Sequence, residues 1–224
     1  MATLYLVRHG QASFGAANYD QLSPLGQQQC LQLGRWFKAR GRCFAAVFTG
    51  TLQRQVQSQA AITEGLGADH QALQLPGLNE YDSAAVIAAL QPQPQPLAKP
   101  DTPALRRAHF QRLRQGLTAW MAGQTQPVGM PDYATSVAGV RDALDRVRSN
   151  EGGDVLMVSS GGPISTAVAQ VLGTAPEISI ELNLRLRNSA VTEFVFNPKR
   201  HSLHSFNTLP HLDADEHASW VTHT

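Results

Sequence analysis

The sequence predicts an α/β protein, a three-layer sandwich in which a mostly parallel central sheet carries helices on both faces and an inserted helical cap. Three observations point there. Short, almost wholly apolar runs (Thr3-Leu4-Tyr5-Leu6-Val7, Phe44-Ala45-Ala46-Val47-Phe48 and Val155-Leu156-Met157-Val158) read as strands buried on both faces. Each run gives way to a polar turn and then to a helical stretch. A Gln-Pro-rich segment, residues 91–103, breaks the alternation and favours extended polyproline geometry, not core strand or helix.

In order, the first strand ends at Arg8-His9-Gly10-Gln11, and residues 12–20 form a loop. Ser23 suits a helix N-cap, and Pro24 at the first helical position forfeits only an N–H that has no partner there. Leu25, Cys30, Leu31, Leu33, Gly34, Trp36 and Phe37 give that helix its apolar stripe, and Gly41 ends it. The second strand leads through Thr49-Gly50-Thr51 into a helix carrying Arg54 and Ser58 and reaching about Gly65. A third strand is expected over residues 72–75, followed by Pro76-Gly77-Leu78-Asn79-Glu80.

Residues 91–132 read as an excursion from the sheet, a cap over the strand ends of the kind that sets substrate access. It holds a helix over residues 104–122 with Leu105, Phe110, Leu113, Leu117 and Trp120 inward. A further helix, residues 135–149, carries Val137, Val140, Leu144 and Val147. The strand over residues 154–159 runs into Ser160-Gly161-Gly162-Pro163 and a helix over 164–172. Strands over 191–196 and 201–206 join through the turn Asn197-Pro198-Lys199-Arg200. The tail from Leu209 receives no element.

At 224 residues the chain fits a single domain, 1–224, with the cap inserted into it. A net charge of +1 without basic runs argues against nucleic acid or an anionic membrane surface, so any anion recognition is local. Cys30 and Cys43 are too few for a disulfide framework and suit reduced thiols. With no apolar stretch approaching a membrane span, the expectation is a soluble, cytoplasmic protein.

Ligands of open α/β sheets bind outside the carboxyl ends of the strands, which is where Arg8-His9-Gly10 falls. A guanidinium grips phosphate oxygens through its planar fork, while a neutral imidazole offers a nucleophilic nitrogen. Taken alone, the tripeptide reads first as a strand end with two solvated polar residues, so the case depends on the rest of the chain. Four such ends present polar groups in all: Arg8-His9, Arg54, Glu80 and Ser160-Gly161. His201, His204, His211, His217 and His223 are spaced too irregularly for a metal site and read as solvated.

On five segments in order, the chain resembles the histidine phosphatase superfamily, the phosphoglycerate mutase-like proteins. Leu6-Val7-Arg8-His9-Gly10-Gln11 looks like that family's signature, and Asp20-Gln21-Leu22-Ser23-Pro24-Leu25-Gly26 like its Asp-x-x-Leu-Thr-x-x-Gly segment. Residues 49–58 are similar to its Ser-x-Leu-x-Arg-Ala-x-x-Thr helix, and Leu78-Asn79-Glu80 to the segment holding its general acid. Arg187-Asn188-Ser189-Ala190-Val191-Thr192 resembles its late Asn-x-x-x-Thr segment.

The resemblance implies phosphoryl transfer through a phosphohistidine. His9 attacks phosphorus, Arg8 and Arg54 neutralise the equatorial oxygens, and Glu80 protonates the leaving alkoxide and then serves as base toward water. The arginines supply the charge, so no metal and no cofactor is implied. Ser160 and Gly161 join the phosphate-binding set, with the Gly161 and Gly162 amides at a helix N-terminus forming an anion site.

Two departures qualify this. Ser160 stands where the family places a second catalytic histidine, and a hydroxyl supplies neither its charge nor its reach. Gly15 stands where an asparagine is normal, with Asn18 nearby as a substitute. The implied function is a phosphatase acting on a small phosphorylated metabolite or a phosphorylated side chain. The rival is a catalytically impaired member that binds phosphorylated ligands or a partner protein without turnover.

Overall fold

Six strands form one mixed sheet in the order β3-β2-β4-β1-β5-β6. The computed structural model describes residues 2–13, 20–90, 102–150 and 152–223. The strands are β1 (Ala2–Arg8), β2 (Phe44–Thr49), β3 (Leu73–Gln74), β4 (Asp154–Ser159), β5 (Val191–Asn197) and β6 (Arg200–Thr208). β1, β2, β3 and β4 run parallel, and β5 is antiparallel to both β1 and β6.

The central strands explain the layering. Side chains alternate across a pleated strand, so Leu4 and Leu6 of β1 and Val155 and Met157 of β4 face one way. They pack with Val140, Leu144 and Val147 of α5 (Tyr133–Arg148) and Ile164 and Val168 of α6 (Gly161–Leu172). Tyr5, Val7, Leu156 and Val158 face the other way, onto Leu33 and Phe37 of α1 (Pro24–Ala39) and Ile62 and Leu66 of α2 (Gln53–Leu66). Each such fully buried side chain contributes about 1.5–3 kcal/mol relative to exposure, which is why both faces of these strands read as apolar.

Ser23 caps α1 as expected, its Oγ accepting from Gly26 N at 3.0 Å. Gly26 itself lies so close to the segment after β1 that an added Cβ would sit 2.1 Å from Gln11 O. This close approach presses the start of α1 against the loop that carries His9.

Several expectations are corrected. β3 has only two residues, both exposed, and Pro76–Leu78 forms a 3₁₀ turn. Two short helices lacked enough periodicity to be read: α3 (Ser83–Ala88) and α7 (Ile178–Asn183). α4 (Pro103–Met121) buries Leu113, Leu117 and Trp120 against Val86, Ile87 and Ile180, but leaves Leu105 and Phe110 about 40 % exposed. The helix is long and its packing partners short, so only its second half finds cover. α6 begins at Gly161, three residues earlier than read. The 91–101 part of the proposed cap lies outside the described residues, as do Gly15 and Asn18.

The tail folds back instead of trailing off. It forms a 3₁₀ turn, Asp215–Trp220, and buries His211, whose Nε2 lies 2.9 Å from Ser189 Oγ. The reading of that histidine as solvated was wrong; burial lowers its pKa to about 3. His201 is half-buried and lowered to about 4, chiefly by desolvation. No helix among the described residues is long and apolar enough to cross a membrane.

Candidate active site

The strand order sets β1 and β4 side by side, with Arg8 level with Ser159. The chain leaves both strands at one edge, where His9 N donates to Ser159 O at 2.9 Å and Gly50 N donates to Val158 O at 3.2 Å. The segments after β1, β2 and β4 therefore converge.

His9 is buried, and its ring nitrogens are distinguished by their neighbours. Nδ1 lies 2.7 Å from Gly10 O, which only accepts, so Nδ1 carries the proton. Nε2 is 3.3 Å from Nε of Arg54, which only donates, so Nε2 presents its lone pair. Burial first, and then the charges of Arg8 and Arg54, hold its pKa well below the usual histidine range. The imidazole is neutral at neutral pH.

Arg54 is 8 % exposed, not the surface arginine that its place on a helix would ordinarily make it. Asp20 fixes it, accepting from Arg54 Nη1 at 2.8 Å and from Gln53 N at 2.9 Å at the start of α2. Arg8 is equally buried, with Nη1 donating to Leu186 O at 2.5 Å and to His223 O at 3.1 Å. Ser58 ties the helix to the histidine loop, its Oγ accepting from Gly10 N and donating to Arg54 O.

Glu80 lies on the other side of this cluster, within electrostatic reach of Arg54 and Arg8. Its carboxyl accepts from Gly162 N at 3.0 Å, in the first turn of α6. Gly161, also in that turn, lies beside the same group: a Cβ there would be 3.6 Å from Glu80 Oε2. Desolvation raises the Glu80 pKa, outweighing the Gly162 amide and the two arginines, which pull it down. Asp82, two residues on, caps α3 by accepting from Ala84 N and Ala85 N.

The profile of the histidine phosphatase superfamily (branch 1) matches residues 4–209. The chain belongs to that superfamily. A curated relative, the 2,3-bisphosphoglycerate-dependent phosphoglycerate mutase of Methylorubrum populi, is 33% identical over 86 residues. That match spans 35% of this chain and 41% of the relative's length. Phosphoserine phosphatase from Entamoeba histolytica, solved with phosphoserine, is similar at 21% identity and TM-score 0.64, covering 95% of this chain and 100% of that one. Phosphoglycerate mutase from Bacillus anthracis is similar at 18% identity and TM-score 0.64, covering 94% of each chain. The mycobacterial glucosyl-3-phosphoglycerate phosphatase is similar at 20% identity and TM-score 0.64, covering 93% and 99%. At these identities the solved structures bear on the histidine phosphatase fold alone, and phosphatases and mutases share it.

Ser160 and Gln55 touch. Ser160 is fully buried, and its Oγ accepts from Gln55 Nε2 at 2.8 Å. The same nitrogen donates to Leu78 O at 2.8 Å, while Gln55 Oε1 accepts from Leu52 N at 3.2 Å, which fixes the amide's orientation. Gln55 stands where the family's helix motif has alanine, a signal the sequence carried but spacing alone did not flag. Asp20 also fell within a quoted motif, without a role. The Leu186 and His223 carbonyls that hold Arg8 left no trace in the sequence, because a backbone acceptor has no residue code.

Proposed function

We propose that this protein hydrolyses phosphate monoesters through a phosphohistidine on His9. One observation carries the reading: a neutral imidazole that feels two buried guanidinium groups, with its Nε2 lone pair facing Arg54 Nε at 3.3 Å. A phosphoryl group arriving there takes over that contact. Nε2 attacks phosphorus as the ester P–O bond breaks, and Arg8 and Arg54 hold the equatorial oxygens. Glu80, whose pKa burial raises, gives its proton in the acid form to the departing alkoxide. It then takes a proton from water, which attacks phosphorus, breaks the N–P bond and releases inorganic phosphate.

Phosphate contacts from Ser160 and Gly161 complete the proposal. Ser160 Oγ already accepts from Gln55, which leaves its own O–H to donate. A neutral donor there holds the phosphohistidine less firmly than a second histidine would, which favours hydrolysis over mutase chemistry. The substrate is a small phosphorylated molecule or a phosphorylated side chain, with α4 as the described part of the cap. Free Cys30 and Cys43 suit a cytoplasmic setting.

The test is hydrolysis of p-nitrophenyl phosphate beside His9→Ala. Removing the nucleophile lowers kcat by about 10⁴-fold or more and abolishes acid-labile phosphate labelling. Equal rates in the two proteins would refute the proposal.

A further inference from the structure

Beyond Glu80 lies a cavity of about 540 Å³ that the chemistry so far leaves unused. It is enclosed by the 76–82 segment and by α4, α5, α6 and α7, and its volume falls in the range of small-molecule sites. Its wall includes Glu80 and Gly162 but not Arg8, His9 or Arg54. Glu80 is thus shared: one side feels the two arginines, the other faces the cavity. The oxygen that a general acid protonates is bonded to phosphorus on one side and meets the acid on the other, so the alcohol half of an ester lies against Glu80 and the cavity that Glu80 lines.

The wall is predominantly apolar and aromatic, with Leu117, Trp120, Met130, Tyr133 and Val137 among its residues, and polar groups from Asn79, Ser136 and Thr166 in the minority. The Trp120 and Tyr133 rings meet edge to face at 5.3 Å. Neighbours take the polar tips: Trp120 Nε1 donates to Pro131 O at 3.3 Å, Tyr133 OH bonds with Ser179, and the OH of Tyr81, also in the wall, accepts from Asn183 Nδ2 at 2.8 Å. What these aromatics offer a guest is ring surface.

The charges in the wall are of one sign. Among the described residues, Glu80 and Asp82 line the cavity, and no lysine or arginine does. A guest bearing a carboxylate or second phosphate would be desolvated there without a cation to meet it.

Resting on the phosphatase reading above, we infer that the substrate is the phosphate ester of an apolar alcohol with no second anionic group, its hydrocarbon or aromatic body seated between Trp120, Tyr133 and α6. The cavity selects by area, and a phosphorylated hydroxy acid is a poor substrate.

Three esters of primary alcohols test this with nearly matched leaving groups: 2-naphthylmethyl phosphate, ethyl phosphate and 3-phosphoglycerate. The naphthylmethyl ester is expected to exceed ethyl phosphate in kcat/KM by about 50-fold or more, from the apolar surface it buries, with 3-phosphoglycerate lowest. Equal values, or 3-phosphoglycerate first, would overturn the inference.

Met121→Lys adds a cation to the wall at the last residue of α4, where the helix dipole favours one. It should raise the ratio of 3-phosphoglycerate to naphthylmethyl activity by about 10-fold or more; an unmoved ratio in a protein of unchanged Tm would count against the cavity as the alcohol site. If none of the esters turns over, the phosphatase reading falls. Calorimetric binding of 2-naphthylmethylphosphonate against methylphosphonate then decides the cavity on its own. Tighter naphthyl binding upholds it and equal binding overturns it.

Discussion

The two sides of Glu80 are built on opposite principles. On the histidine side, Arg8, His9 and Arg54 are each at most 8 % exposed, and their polar atoms are directed by Asp20, Gly10 and the Leu186 and His223 carbonyls. On the cavity side, apolar and aromatic surface dominates and the polar tips are turned to their neighbours. Oriented charges stabilise a developing charge distribution in one geometry. Apolar area stabilises any guest of suitable size without regard to direction. On the proposed reading, rate belongs to one side and selectivity to the other, with Glu80 as the hinge of the chemistry.

That division can be broken most sharply at Glu80. Glu80→Gln keeps the shape but removes the transferable proton, so kcat on ethyl phosphate should fall about 10²–10⁴-fold. The loss on p-nitrophenyl phosphate, whose leaving group needs no acid, should be far smaller. The pH profile follows from two shifts of opposite sense. The raised Glu80 pKa keeps the acid form available above the ordinary carboxyl range, so alkyl-ester activity falls only as pH rises through that raised value. The lowered His9 pKa keeps the nucleophile neutral below pH 6.5, so acid should not quench the reaction there. In Glu80→Gln the alkaline limb should disappear.

Arg54→Ala tests the histidine side alone. Its loss should lower kcat about 10²–10³-fold for aryl and alkyl esters alike, leaving the ranking of alcohols unchanged. Arg54→Lys should recover only part of it, since a point charge lacks the fork.

The Gln55–Ser160 contact gives a smaller and more discriminating effect. Gln55 Nε2 lies 2.8 Å from Ser160 Oγ, so an imidazole at position 160 meets a side chain already there. Ser160→His alone should gain little, whereas Gln55→Ala with Ser160→His should raise kcat about 10-fold. Equal gains in the single and double variants would mean that Gln55 does not obstruct the position.

The smallest effect concerns stability beneath the site. His211 has a folded pKa of about 3, so on acidification the unfolded chain binds the proton first. Its contribution to stability is complete above about pH 6.5 and is lost as pH falls below it, by about 2 kcal/mol at pH 5. His211→Gln should flatten the fall in Tm between pH 7 and pH 5, and an unchanged slope would show that the imidazole is protonated in the fold.

How much of this was legible varies with the kind of signal. β1, β2 and β4 declare themselves because strands buried on both faces must be apolar throughout, and Ser23-Pro24 declares the start of α1 because capping chemistry is local. Arg8, His9, Arg54, Glu80 and Ser160 were named from motif positions, and the fold draws them to one end of the sheet. α3 and α7, at six residues each, are too short to show a helical period. The inward face of α4 was overread because periodicity gives the direction of a stripe and not the length of its partner.

By itself the sequence determined which side chains could do phosphoryl chemistry and which strands had to be interior, since both follow from residue type and local spacing. Only the tertiary structure decided that the first turn of α6 meets Glu80, that Gln55 stands against Ser160, that tail carbonyls hold Arg8, and that the space past Glu80 is walled without a cation among the described residues. Those features join residues up to 215 positions apart. Contacts across such separations come from the packing of elements and from backbone atoms, neither of which a linear pattern records.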